Sequence, residues 1–502
     1  MKHNVKIRAG SKNSFIHTLI SIPGTIIKPV VLAFRKLSRQ EKLVFFVLSA
    51  ILLVLIMFEG LKLYYANTSL VPTNGGEYVE VLNGDAKYFN PVLAKTDAER
   101  TISSLIYSSL VKVDQNNQPQ PDLATSWEIS SDGLSYTFHL RQDVMFYNGQ
   151  SFDSSDVVAT IDAIKDEINK SSLRDTWLNI ETEAPDPTTV IFKLPRKYGP
   201  FIYNCVLGIA DSEDVLVSLT SDYNGTGPYH FIKTVSDENK NPTVSLESNG
   251  GYYNGSPLIE EMRFIIAKSF TGDNKTLSAN GINAVAGFGS FEYGLKNYSF
   301  KTGRNLLTFF NVRKEPLINI DIRRKISNNE KIDNQVEIKL VHLDAEPQIS
   351  MANNLVGKLK DNNFVVNNVA LSTNEYMDAI KNRDYDLLVY GYNWSYDKDP
   401  YMLWHSSQID KNNFSGYSSK VDDIFLEDAR MIIDKNERDA KYQQFDQVIK
   451  DQSLAIVSEN EQYNFLVSDE VKNIEVANYN GRPESRFDNV ASWYIREKRM
   501  RK

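Results

Sequence analysis

Tyr390-Gly391-Tyr392-Asn393-Trp394-Ser395-Tyr396-Asp397-Lys398-Asp399-Pro400 sets four aromatic rings and two carboxylates within eleven residues. The apolar run Leu387–Tyr390 before it predicts a buried strand, and in α/β sheets the loop leaving such a strand is where ligands are met. A carboxylate there can pair with a cationic group, and the rings can wall a site. On residue types alone the plainer account is that Asp397 caps its loop and the aromatics are core. Asp397 with Asp399 is too generic a pair for a glycosidase dyad. The six histidines (His3, His17, His139, His230, His342, His405) are scattered without metal-ligand spacing, so neither a zinc site nor any other metal or cofactor is expected. Gly287-Phe288-Gly289-Ser290-Phe291 lacks the form of a nucleophile elbow, and no phosphate-binding glycine loop occurs. Asp410-Lys411-Asn412 leaves the calcium-loop pattern at its next ligand positions. Cys205 is the one cysteine, so no internal disulfide is possible. Its setting between Ile202 and Ile209 predicts a small buried hydrophobe.

The elements that must carry such a loop are clearest between Leu123 and Thr160. Trp127, Ile129, Tyr136, Phe138 and Leu140 alternate with polar neighbours around Ser131-Asp132-Gly133, which predicts a β-hairpin. Past Asn148-Gly149, Asp153 is placed to cap a helix with apolar positions Val157, Ile161, Ile164 and Ile168, and Asp156 suits its first turn. From Glu77 to about Asn305 short β runs dominate. After Asn311 strands and helices alternate: Val336–Val341, Ile349–Lys360, Phe364–Val369, Thr373–Asn382 and Leu387–Tyr390. That order predicts a parallel or mixed α/β sheet. Two helices follow, one lined by Val421, Ile424, Phe425, Ala429, Ile432 and Ile433, the other by Ala440, Phe445, Val448 and Ile449.

The stretch 123–160 resembles, nearly end to end, a phrase typical of the extracytoplasmic solute-binding proteins of ABC importers, in the large peptide-binding family of oligopeptide- and dipeptide-binding proteins (family 5). Tyr88-Phe89-Asn90-Pro91, Ile106–Leu110 with Asp114, Gly225-Thr226-Gly227-Pro228-Tyr229, Asp321–Ile326 and Tyr385-Asp386-Leu387-Leu388 resemble further family phrases in the family's order, over most of residues 77–480. The resemblance implies an α/β, two-lobed periplasmic-binding-protein-like (type II) fold whose second lobe is inserted in the first. A hinge then flanks an interlobe cleft. It also implies that Asp397, three residues after Trp394, holds a peptide's α-ammonium, with Trp394, Tyr392, Asn393 and Tyr417 as further ligand contacts. An ammonium buried by lobe closure must be paired, because leaving it bare costs several kcal/mol. Asn413–Tyr417 resembles a family loop near ligand or hinge, while Asn90 and Tyr107 of lobe I have no assignable place. After Ile326 the chain departs from the family by passing almost at once to the strand Val336–Val341, so lobe II is trimmed.

The N-terminus carries a separate message. Residues 43–58 are uninterruptedly apolar and reach spanning length as 43–65, with Glu59 and Lys62 near the interface. Residues 1–42 hold nine Lys or Arg against Glu41, which orients that leader to the cytoplasm and the remainder outside. So long a charged region favours a retained signal anchor over a cleaved peptide. Phe15–Phe34, broken by Pro23, Gly24, Lys28 and Pro29, reads as a surface-lying or disordered leader. Removing the leader's +8 from the whole-chain −8 leaves −16 for residues 43–502, which argues against nucleic acid.

The expected organisation is a basic leader (1–42), a transmembrane anchor (43–65), a linker (66–76), lobe I (77–308), lobe II (309–458) and a return to lobe I with a basic tail (459–502). Within that tail Arg496–Lys502 is expected to be solvated, contact with lipid headgroups being the lesser reading. The expected function is a non-enzymatic, membrane-anchored receptor at the cell surface or in the periplasm. It captures peptides and hands them to an ABC permease with its ATPase subunits. The alternatives are the same fold binding a sugar oligomer or metal chelate, which needs no ammonium-binding Asp397, and an envelope sensor or scaffold whose trimmed lobe does not close.

Overall fold

A computed structural model describes residues 33–213, 215, 223–236, 241–267, 277, 279–288, 293–476 and 481–502. Most of the expected leader, residues 1–32, lies outside them. The chain divides into two units, residues 1–71 with 497–502, and residues 72–496.

In the first unit a single helix runs from Arg39 to Ala66, about 42 Å at 1.5 Å per residue, and among the described residues it alone is long and apolar enough to cross a membrane. Ser38 caps it by a reciprocal bond with Glu41. The expected linker is not an unpaired segment. Thr68–Thr73 is a strand, and it pairs with Arg496–Arg501 of the basic tail, whose side chains are exposed. Alternation in Thr-Ser-Leu-Val is enough for a strand once a partner exists, and that partner lies over four hundred residues away in sequence.

The second unit is built on one long sheet. Its order is Phe364–Leu371, Val336–Leu343, Leu387–Asn393, Phe300–Phe310, Ala455–Val467, Ala284–Phe288, Glu77–Asn83, Glu261–Ala267, Pro242–Ser248 and Tyr229–Ser236. The two longest strands, Phe300–Phe310 and Ala455–Val467, lie antiparallel in its middle. Their lobe I ends pair with each other at Phe300 and Tyr463, and their lobe II ends at Thr308 and Ile456. The register between them shifts on either side of Asn305. These two strands join the two halves of the sheet, and their pairing is irregular at that join.

Lobe II follows its alternating text. Val336–Leu343 pairs in parallel with both Phe364–Leu371 and Leu387–Asn393, and the buried residues alternate between faces. Leu307, Phe309, Val341 and Leu388 face Tyr401, Trp404, Phe414, Leu426 and Phe445. Phe310, Ile338, Leu340, Leu387 and Val389 face Ile326, Ala352, Leu355 and Leu359. Helices thus cover both faces, as a parallel sheet requires. The helix Lys420–Met431 differs from its expected lining: Leu426 and Ala429 are buried, but Val421 is 77% exposed and Ile424 is exposed too.

In lobe I the hairpin forms with Trp127 opposite Phe138 and Ile129 opposite Tyr136. Asp153 caps Ser154–Lys165. That helix stops one turn before expected: the chain bends at Asp166, which caps a short 3-10 turn instead, and Ile168 is left 84% exposed. Central strand Glu77–Asn83 is buried on both faces, so Glu80 shares the inner face with Tyr78 and Leu82. Glu80 is matched by Arg486, whose Nη2 donates to its Oε1 at 2.6 Å, while Tyr78 donates to Oε2 at 2.6 Å. This buried pair ties the returning segment around 482–487 to the lobe I sheet. Cys205 is buried, and burial pushes its thiol well up.

Candidate functional site

The helix Asp97–Ile106 forms one wall of the space between the lobes. Thr96 and Glu99 make its capping box. Glu99 does more: Oε1 accepts from the Lys87 and Tyr88 N–H at 2.8 and 3.1 Å, and Oε2 from those of Lys95 and Thr96 at 2.7 and 3.0 Å. Burial pushes this carboxyl up, but four backbone donors outweigh it and hold it below its ordinary value. The helix end is fixed by the turn Gly225–Tyr229, which passes so close that a Cβ on Gly225 would lie 2.0 Å from Ile106 O. Only glycine fits there, which places Tyr107.

Three cavities sharing walls run in a row along the lobe boundary. The middle one, about 510 Å³, lies between Arg100, Tyr107, Trp177 and Tyr203 of lobe I, and Asn393 and Tyr396 of the lobe II loop. Tyr107 and Tyr396 also line the next, of about 320 Å³. On the other side Arg100 and Asn393 are shared with one of about 540 Å³. Each volume suits a small-molecule ligand. Charge is polarised along the row. One end carries Asp122, Glu484 and Asp488 against Lys112, the centre Lys95, Arg100 and Arg482 against Glu484. Lys95, Arg100 and Arg304 meet Asp85 and Asp97 at the far end, where Arg100 pairs with Asp97 and Arg304 with Glu461 at 2.9 Å. Arg482 lies over the Tyr396 ring, 4.8 Å from its centroid, and its nearest carboxylate, Glu484, is 4.0 Å away. Tyr396 is a lobe II residue buried in the lobe I core, 6.2 Å from the Tyr203 ring, and burial pushes its hydroxyl up to about 12.

Asp397 is not available in the way expected. Strand Leu387–Asn393 ends, Trp394 N donates to Gly303 O at 3.0 Å, and Lys398 turns the chain with φ +55°. That turn aims Asp397 into lobe II, where it is 1% exposed. Its Oδ1 accepts from Arg438 Nε at 2.8 Å and also from Nη2, and its Oδ2 from the Tyr442 hydroxyl at 3.0 Å. Burial pushes this carboxyl up, and Arg438 and Tyr442 draw it back down. The internal guanidinium is therefore the counter-charge, and Asp397 lines none of the three cavities. Asp399 likewise caps Tyr401 N at 3.0 Å and pairs with Arg430 Nε at 2.7 Å.

Of the other expected contacts, Asn393 reaches the cavity. Tyr392 and Trp394 pack edge to face, 4.9 Å apart, against a lobe II core, and the Tyr417 hydroxyl donates to Asp422 at 2.6 Å. Tyr107 joins the site, whereas Asn90 is buried and caps Val92 N at 2.8 Å. Tyr396, Arg482, Glu484 and Trp177 are not among the contacts expected from the sequence. Tyr396 stood inside the motif, but nothing local marks the other three.

Residues 118–328 match the model of bacterial extracellular solute-binding proteins, family 5 (Middle). That segment is similar to the family 5 extracellular solute-binding proteins. Proteins of this family serve ABC importers as binding proteins, not enzymes. The chain is 23% identical to the oligopeptide-binding protein AppA of Bacillus subtilis, over 84% of this chain and 92% of that one. Its fold is that of the AppA structure in complex with a nonapeptide (TM-score 0.66, 18% identity, 85% and 100% coverage). NikZ from Campylobacter jejuni, in complex with Ni(L-His), is similar as well (TM-score 0.65, 20% identity, 83% and 99% coverage).

Proposed function

We propose that this protein captures peptides between its lobes and delivers them to an ABC permease, and that Arg39–Ala66 anchors it in the membrane with the binding domain outside. The observation carrying the ligand class is the row of three wall-sharing cavities with an acidic end and a basic middle, which suits an extended zwitterion better than a compact neutral solute. On this reading Asn393 and Tyr396 touch the ligand, Arg482 and Arg100 meet its carboxylate, and Glu484 or Asp488 its ammonium. Asp397 acts through Arg438 as a positioning residue that sets the loop, with Tyr392 and Trp394 backing the strand and Tyr417 bracing the loop 413–417.

Support for a peptide comes also from the relatives, since AppA is an oligopeptide-binding protein. One observation favours a second reading, a receptor for a chelate or other non-peptide solute: the acid at the family's ammonium position is already paired with Arg438. Mass spectrometry of molecules released on denaturing the purified protein separates the two. Recovered peptides with free carboxyl termini are expected, and a non-peptide solute in their place would overturn the proposal.

A further inference from the structure

The last strand of the chain returns to the end of its N-terminal helix. Lys502 N donates to Asn67 O at 2.9 Å, one residue beyond the helix's final Ala66. Arg499 reaches onto the helix itself: its guanidinium lies 4.3 Å from the centroid of Tyr65, and Nη1 donates to Thr68 Oγ1 at 3.2 Å. Lys498, Arg499 and Arg501 in the strand and Lys502 just beyond it are opposed there only by Glu497, and all of these side chains are exposed. Strand Thr68–Thr73 carries no charge. The nearest helix charges, Glu59 and Lys62, pair with each other at 3.6 Å.

Tyr64 and Tyr65 close an apolar helix, the position at which aromatic rings sit among lipid headgroups. A strand advances about 3.3 Å per residue, so Arg499 to Lys502 fall within roughly 10 Å of that level, close to one Debye length at physiological salt. Strand pairing has already ordered these cations, so a lipid need not supply that entropy. Basic residues so far along an exported chain do not conflict with the orientation, because long domains translocate largely regardless of charge.

We infer that this ribbon, Thr68–Thr73 with Arg496–Lys502, is a docking surface for the phosphates of anionic lipid headgroups at the outer end of the helix. It rests on the proposed anchoring of Arg39–Ala66. Strand pairing makes it a fixed cluster of cations at one depth, where a loose tail would sample many.

The full chain is reconstituted into nanodiscs of phosphatidylcholine, with or without phosphatidylglycerol. Trypsin cleavage after Lys498 and Arg501 is timed by mass spectrometry against cleavage after the exposed Arg196. Phosphatidylglycerol is expected to slow the C-terminal cuts by about tenfold or more at low salt, and molar salt to erase the difference. In the variant R499E/K502E the two lipids should give similar rates. Equal wild-type rates at low salt would overturn the ribbon alone. Release of the chain from vesicles by alkaline carbonate would overturn the anchor, and the ribbon with it.

Discussion

Removing one side of the Asp397–Arg438 pair tests whether this carboxylate is a structural partner or a ligand receptor. Both side chains are 1% exposed. Arg438→Met leaves Asp397 buried with only Tyr442 as donor, and strips Ile432 O and Ile433 O of bonds now 2.7 and 2.9 Å long. Breaking a buried pair on one side costs about 3–5 kcal/mol, to which the two carbonyls add about 1 kcal/mol each. Asp397→Asn keeps the shape and an acceptor for Tyr442 but leaves the guanidinium uncompensated, so a loss of about 3 kcal/mol is expected. The double variant removes both charges and should recover about 2–3 kcal/mol relative to the sum of the single losses. Denaturant unfolding followed by tryptophan fluorescence reads each corner of the cycle, and calorimetric titration with a peptide reads binding. The reasoning is refuted if Asp397→Asn abolishes peptide binding while unfolding moves by less than about 1 kcal/mol, since that outcome makes Asp397 the ammonium's own partner.

Two other predictions concern the walls of the site. Glu99→Gln trades four charge-assisted bonds for an amide with one acceptor oxygen, and a loss of about 2–4 kcal/mol in unfolding free energy is expected. Because the folded carboxyl sits below its unfolded value of 4.5, its stabilisation is complete above that pH and lost as pH falls through the lower folded value. Wild type and variant should therefore converge in acid, and parallel stability curves down to the lowest pH would contradict the assignment. Gly199→Ala puts a Cβ 1.9 Å from Ile432 O, where the lobe I turn Gly199–Cys205 meets lobe II. The lobes must part there, so small-angle scattering should show a larger radius and ligand affinity should fall; an unchanged radius with full affinity would show that this contact is dispensable.

Local chemistry was enough for elements whose partners are near in sequence. Trp127 to Leu140 alternate around Gly133 and can only bury their rings as a hairpin, and Asp153 caps the helix that begins at the next residue. Lobe II was legible for the same reason, since Leu387-Leu388-Val389 must be covered on both faces. The family phrase at 123–160, and so the two-lobed fold, was likewise written in the text. What required the tertiary structure was every choice among distant partners. Asp397 is an acid three residues after Trp394 whether it awaits a ligand or is satisfied by Arg438, forty-one residues on; helix Lys435–Asp451 brings that guanidinium to it. Arg482 and Glu484 enter the site only because Arg486 is drawn to Glu80 across four hundred residues. The expected linker became a strand when the C-terminus returned to pair with it. Periodicity reports how a segment faces its own neighbourhood, whereas the counter-charge of a buried ion or the partner of an edge strand is set by the closing of the whole chain, and no local pattern records that.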